Sequence, residues 1–401
     1  MKPMSFMLIA GEPSGDLLAA ELVKALRRAV LERQSRPAAD AQPLQTGLAP
    51  VVFGAGGPKM AEAGVTLAVD MTPHAVIGLW EVLKNYAKFR RLFQQLLQLA
   101  VDRQPDAIVC VDFSGFNRRF AHAVKAHVRA HRGPFYNWNP RIIQYVSPQV
   151  WASRPGRARA MADDFDLLLS IFPFEKQWYV DHAPGLRVEF VGHPIVDRYA
   201  TPSQTRQARP VRPKPLLLLL PGSRPAELKR HLPIMVEAAR RVDQHHPVRR
   251  EIVLPNDSLV EQARTLMVPG PGTEARAGGL AESLTQADLA IASTGTVTLE
   301  CAYFGLPTIA VYKTSWSTYQ IGRRIVRVKH LAMPNLLANE EIFPEFIQHE
   351  ATAENLARAA LDLLNSPARR EAIRSKLATV IASLGPPGAN QRAAESILNI
   401  L

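Results

Sequence analysis

The residues most able to do chemistry sit in short polar turns that follow apolar runs. Ser293-Thr294-Gly295-Thr296 lies between the apolar run 287–291 and a segment of helical spacing, 299–304. A strand entering a helix through such a turn leaves backbone N–H groups at the helix N-terminus, an arrangement suited to a phosphate. Glu300 falls about one turn into that helix, where a carboxylate can accept from a ribose diol. Gly222-Ser223-Arg224 follows the run 216–220 in the same way and adds a guanidinium that can clamp a diphosphate. Each has a plain counterpart: an ordinary strand-to-helix turn, and a surface arginine. Together they point to a nucleoside diphosphate held by the second half of the chain.

The first half offers a carboxylate instead. Asp112 ends the run 107–112, where it can serve as a general base toward an attacking hydroxyl, or equally cap the following helix. Glu12 and Asp16, in the turn after the run 5–10, share that strand-end rim and are catalytic candidates, with capping and turn chemistry as the alternative. His193 in Gly-His-Pro can orient a phosphate or be structural. There is no HExxH, no Cys/His metal spacing, no Walker A and no GxGxxG. No metal site is expected, and a helix N-terminus with Arg224 can stabilise a departing diphosphate without one.

These turns need strands and helices to position them. Runs at 5–10, 51–54, 107–112, 142–146, 167–171, 188–191, 216–220, 251–254, 287–291 and 308–311 read as buried parallel strands alternating with amphipathic helices. A chain of 401 residues is long for one core. Residues 199–215 lose apolar periodicity and gain Pro, Gln, Arg and Thr, which marks a linker. The expected organisation is α/β: two Rossmann-like, doubly wound domains facing a central cleft. Residues 1–200 form the first, 201–215 the linker, 216–365 the second, and 366–401 helices that pack back on the first domain or on a partner. Residues 270–279 read as a Gly/Pro loop.

The chain carries 48 Lys and Arg against 36 Asp and Glu, a formal charge of +12, which favours an anionic partner. Its two cysteines, Cys110 and Cys301, lie in apolar contexts and read as buried thiols in a reducing compartment. No signal peptide and no spanning apolar run is evident. Residues 76–99 interleave Trp80, Tyr86, Phe89 and Phe93 with Lys84, Lys88, Arg90 and Arg91. Such a stretch suits either an anionic membrane surface or a core-facing helix with a solvated basic face.

In order along the chain stand Ala10-Gly11-Glu12-Pro13-Ser14-Gly15-Asp16, Gln144-Tyr145-Val146-Ser147-Pro148-Gln149-Val150-Trp151-Ala152, Phe172-Pro173-Phe174-Glu175-Lys176 and Phe190-Val191-Gly192-His193-Pro194. Leu220-Pro221-Gly222-Ser223-Arg224, Ser293 to Cys301 and Pro334-Asn335-Leu336-Leu337-Ala338 follow. This ordered set resembles the bacterial lipid-A-disaccharide synthases, inverting glycosyltransferases of the GT-B architecture.

The resemblance implies transfer from UDP-2,3-diacylglucosamine to 2,3-diacylglucosamine 1-phosphate, giving a β-1,6-linked disaccharide and UDP. It implies an essential aspartate at Asp112, an essential arginine at Arg224 and a functional polar residue near the nucleotide at Asn335. Gly222, Ser223, Ser293, Thr294, Gly295, Thr296 and Glu300 then become the UDP site. It also implies a cytoplasmic enzyme, peripheral on the inner membrane through 76–99, with no nucleic-acid partner, and homodimers that exchange C-terminal segments. At the third strand the family usually reads Asp-x-Pro-Asp-Phe-Asn. Here Ser114 and Gly115 replace the Pro and the second Asp, and Ser153 replaces a common Trp. Alternatives on the same fold are another UDP-sugar enzyme, an epimerase or lipid glycosyltransferase. A different-class alternative is a nucleotide-sugar-binding homologue with weakened catalysis.

Overall fold

A computed structural model describes residues 2–35, 48–71, 86–199, 214–267 and 272–401. The chain divides into two compact units, Met1–Asp197 with Leu384–Leu401, and Arg198–Ser383. The expected linker, apart from its ends, and residues 76–85 of the basic stretch lie outside the described residues.

The first unit is built on a seven-stranded parallel sheet. Its strands are β1 (Ser5–Ala10), β2 (Val51–Gly56), β3 (Thr66–Asp70), β4 (Ala107–Val111), β5 (Arg141–Tyr145), β6 (Leu167–Ser170) and β7 (Val188–Phe190). Their order is β3-β2-β1-β4-β5-β6-β7. β1 and β4 are buried along their whole length. A parallel strand covered by helices on both faces needs such an unbroken apolar run. The last helix, Ala389–Leu398, belongs to this unit. It packs on the helix Pro13–Ser35, and Arg33 Nη1 donates to Leu398 O at 2.9 Å. The preceding helix, Pro367–Ser383, belongs to the second unit.

The second unit has a six-stranded parallel sheet of β8 (Leu216–Leu220), β9 (Arg249–Leu254), β10 (Thr273–Ala277), β11 (Leu289–Ser293), β12 (Thr308–Tyr312) and β13 (Glu345–Ile347). The order is β10-β9-β8-β11-β12-β13. The span expected as a Gly/Pro loop therefore contains β10. It pairs with β9 alone at the sheet edge, where backbone pairing outweighs an unremarkable side-chain pattern. β3 and β13 escape a sequence reading for the same reason, whereas β7, the other edge of the first sheet, falls on the expected run 188–191.

Both sheets run outward from their first strand in one direction through the next two strands and in the other through the rest. That is the doubly wound order, and ligands bind beyond the strand C-termini where the order reverses. The reversal falls between β1 and β4 in the first unit and between β8 and β11 in the second.

Candidate active site

In the first unit the reversal point carries Glu12 after β1 and Asp112 after β4. Ala10 pairs with Val111, so the two turns start side by side. A Cβ on Gly11 would fall 2.4 Å from the Phe113 ring, and one on Gly15 would lie 3.7 Å from Asp112 Cβ. The two loops are packed into one wall, with Glu12 and Asp112 both half-buried.

Asp112 does not hold the N-cap position. The N-cap of the helix Ser114–His131 is Phe113. Asp112 and Phe113 adopt φ of 48° and 43°, the left-handed region, which costs a non-glycine residue about 1–3 kcal/mol. The neighbours hold this conformation. Asp112 N donates to Tyr145 O at 3.0 Å, while Asp112 O accepts from Asn117 Nδ2 at 2.9 Å and Gln144 Nε2 at 3.2 Å. Both amides are buried, and their oxygens, Asn117 Oδ1 and Gln144 Oε1, have no hydrogen-bond partner among the described residues. Phe113 stacks on Phe116 with centroids 5.5 Å apart. Gly115 is exposed, and a Cβ there would meet nothing within 4 Å, so the departure from the family pattern removes a surface group without opening a hole.

Asp16 has a different task from the catalytic one expected of it. Its carboxylate is buried and accepts from Gly57 N at 2.8 Å, Lys59 N at 3.0 Å and Met60 N at 3.1 Å. It caps the short helix Pro58–Glu62, and backbone donors already occupy both of its oxygens. His193 Nδ1 accepts from Ile195 N at 3.1 Å, its backbone N donates to Leu384 O at 2.9 Å, and its ring lies against Phe172 with centroids 5.4 Å apart.

In the second unit β8 and β11 are neighbours, with Leu220 opposite Ala292, so Gly222–Arg224 and Ser293–Thr296 emerge together. Gly222 has φ 118°, and a Cβ there would strike Glu227 Oε2 at 2.4 Å. Only glycine lets this loop close on Glu227, which accepts from Ser223 N at 3.2 Å and pairs with Arg224 Nη1 at 3.6 Å. Glu227 is a site residue the sequence reading missed. Its signal was a Glu three positions after the N-cap Arg224. Arg224 itself is half exposed at the helix mouth.

Ser293 is buried, and Gly295 and Thr296 are exposed at the start of the helix Thr296–Tyr303. Thr294 N donates to Val311 O at 3.0 Å. Thr298 Oγ1 donates to Gly295 O at 2.7 Å and accepts from Met333 N at 3.3 Å, which holds the turn from behind. Glu300 Oε1 accepts from Tyr199 Oη at 3.1 Å and lies 3.5 Å from Arg198 Nη1, so these two groups orient its carboxylate.

Asn335 is brought near this cradle but not into it. It is fully buried: Nδ2 donates to Phe343 O at 2.7 Å and Glu345 Oε1 at 2.8 Å, while Oδ1 accepts from Ile342 N at 2.9 Å and Phe343 N at 2.8 Å. Every hydrogen-bonding position of the amide is used, so the expected direct contact with the nucleotide is replaced by a scaffold role.

Two other motif segments meet in the first unit. Trp151 Nε1 donates to Glu175 Oε1 at 3.0 Å, Phe172 N donates to Oε2 at 3.3 Å, and Ser147 Oγ donates to Tyr179 Oη at 3.1 Å. Burial raises the Glu175 pKa to about 7 against the pull of these donors. Both cysteines are buried thiols, as expected, and burial raises the pKa of each.

The lipid-A-disaccharide synthetase family model matches residues 6–400. The chain belongs to the lipid-A-disaccharide synthetase family. It is 35% identical to a lipid-A-disaccharide synthase of Anaeromyxobacter dehalogenans, over 98% of this chain and 97% of that one. Its fold is similar to that of the glycotransferase of kitacinnamycin (TM-score 0.63, 16% identity, covering 100% of each chain). A UDP-GlcNAc 2-epimerase from Neisseria meningitidis bound to UDP-GlcNAc is similar too (TM-score 0.60, 11% identity, 100% of each). Family membership makes the chain an enzyme, a glycosyltransferase of lipid A biosynthesis on the GT-B fold. Among the described residues no helix is long and apolar enough to cross a membrane.

Proposed function

We propose that the enzyme joins UDP-2,3-diacylglucosamine to 2,3-diacylglucosamine 1-phosphate, with the second unit holding UDP and the first acting on the acceptor. The carrying observation is the content of the two reversal points: two turns opening helix N-termini beside Arg224 in one sheet, and an acidic residue on a constrained backbone in the other. Asp112 accepts the proton of the acceptor 6-hydroxyl as its oxygen attacks the anomeric carbon from the face opposite UDP. The anomeric C–O bond to the diphosphate breaks, and the anomeric configuration inverts. Arg224 and the N–H groups at the start of the helix Thr296–Tyr303 take up the charge developing on UDP, with no metal required. Glu300, oriented by Tyr199 and Arg198, accepts from the ribose hydroxyls. Glu12 lines the acceptor side beside Asp112.

Mixing the purified enzyme with both acylated substrates is expected to release one UDP per disaccharide formed. Tight UDP binding without release would convert the reading into that of a binding homologue. Release from the UDP-sugar alone would favour a different UDP-sugar reaction.

A peripheral membrane position follows from the anionic, acylated substrates and the basic charge. The described part of 76–99 belongs to the helix Tyr86–Arg103, which buries Leu92, Leu96 and Ala100 and exposes Lys88, Arg90 and Arg91. Each cation near an anionic surface contributes about 1 kcal/mol. Changing all three to Ser is therefore expected to weaken binding to phosphatidylglycerol vesicles about a hundredfold in flotation assays. Binding that ignores both salt and these changes would remove this helix from the membrane contact.

A further inference from the structure

The helix Pro225–His245 buries Leu228, Leu232 and Met235 against the second sheet, and His231 sits on that same face, 1% exposed. A histidine on an apolar stripe needs partners for both nitrogens. It has them. Nδ1 lies 2.8 Å from Pro221 O, and Nε2 accepts from Lys313 N at 3.0 Å. A carbonyl only accepts and a backbone N–H only donates. The ring is therefore neutral, with its proton on Nδ1. Burial also lowers its pKa, which favours the same form.

The two partners matter because of where they lie. Pro221 follows β8 and immediately precedes Gly222-Ser223-Arg224; as a proline it has no N–H to tie this loop to a neighbouring strand. Lys313 immediately follows β12. β8 and β12 are the strands on either side of β11, and β11 delivers Ser293–Thr296. One imidazole thus spans the turn between them and fastens the loop on its left to the loop on its right. Gln348 anchors the same right-hand loop further along, accepting from Thr314 N and donating to Thr314 O, both at 3.0 Å.

We propose that His231 is a positioning residue of the transfer reaction, setting the separation of the loops that flank the diphosphate cradle. This rests on the reading that the second unit binds UDP. His231 touches no substrate; it acts through the backbone on either side.

The test uses full-length enzyme with His231→Leu, His231→Asn and His231→Gln. Asn can keep the bond to Pro221, Gln the bond to Lys313, and Leu neither. UDP titration by calorimetry is expected to show the Leu variant weakened about tenfold or more, with Asn and Gln each recovering part. KM for the UDP-sugar should rise more than kcat falls. Hydrogen exchange should quicken at the amides of 222–224 and 313 in the Leu variant without ligand. Wild-type UDP affinity in a folded Leu variant, with only its melting temperature lowered, would overturn the proposal by reducing His231 to packing. If the Leu variant does not fold, the Asn and Gln variants decide: UDP affinities equal to wild type in both overturn it. If even the wild type fails to bind UDP, the UDP reading fails. Faster exchange would then still support the tether, and unchanged exchange would overturn it.

Discussion

Asp112→Asn is expected to lower UDP release by about 10²–10⁴, the contribution of a positioned general base, while UDP affinity and melting temperature stay near wild type. The backbone makes Asn the right choice. Position 112 has φ 48°, and Asn enters the left-handed region more readily than other non-glycine residues. The bonds from Asn117, Gln144 and the bond to Tyr145 involve only the backbone of residue 112, so they survive the change. What is lost is the ability to take a proton. Asp112→Gly should be at least as inactive, although glycine relieves the backbone strain. Asp112→Ala combines lost chemistry with a strained Cβ, so it is the less informative variant. Single-turnover UDP release with calorimetric melting separates the cases. Turnover within a few-fold of wild type in Asp112→Asn would end the base assignment.

Much of this site could be read from residues before any fold was known, for a physical reason. β1, β4, β8 and β11 are central strands, buried on both faces, so their sequences are unbroken apolar runs followed abruptly by small or acidic residues. Central parallel strands have to look like this. Where the sheet order reverses, those abrupt ends become the site, so Asp112, Gly222–Arg224 and Ser293–Thr296 were visible together. Of the four edge strands, β7 was visible as the run 188–191, but β3, β10 and β13 were not, because half-exposed pairing tolerates almost any sequence.

Polar residues failed differently. Glu12 and Asp16 stand four positions apart in one motif, and nothing local separates them. The helix that Asp16 caps lies more than forty residues away. His231 was equally silent: its partners are ten residues back and 82 ahead. Its one signal was a polar group on the apolar face of an amphipathic helix. Asn335 stands in a motif that runs beside the cradle, and proximity alone suggested contact. Only the four bonds of its amide reveal that it has nothing left to offer a ligand.

That distinction carries the second large effect. Asn335→Asp is expected to destabilise the second unit by about 3–5 kcal/mol, as when a buried charge is left uncompensated, although the side chain hardly changes shape. The wild-type Nδ2 gives its two hydrogens to Phe343 O and Glu345 Oε1. A carboxylate there faces a carbonyl and a second carboxylate with no proton to give either. Glu345 has little freedom to retreat, because Oε1 also accepts from Ala332 N at 3.0 Å and Oε2 from Leu331 N at 2.9 Å. Those bonds fix the entry to the helix Met333–Ala338, and that entry places Met333 N on Thr298 behind the diphosphate turn. Asn335→Ala avoids the repulsion but leaves buried Ile342 N, Phe343 N and Phe343 O unpaired, at about 1–3 kcal/mol each. Activity in both variants should fall with the folded fraction measured by urea unfolding, and KM for the UDP-sugar in the folded remainder should stay near wild type. A rise in that KM with stability unchanged would restore Asn335 as a nucleotide ligand and refute the scaffold role.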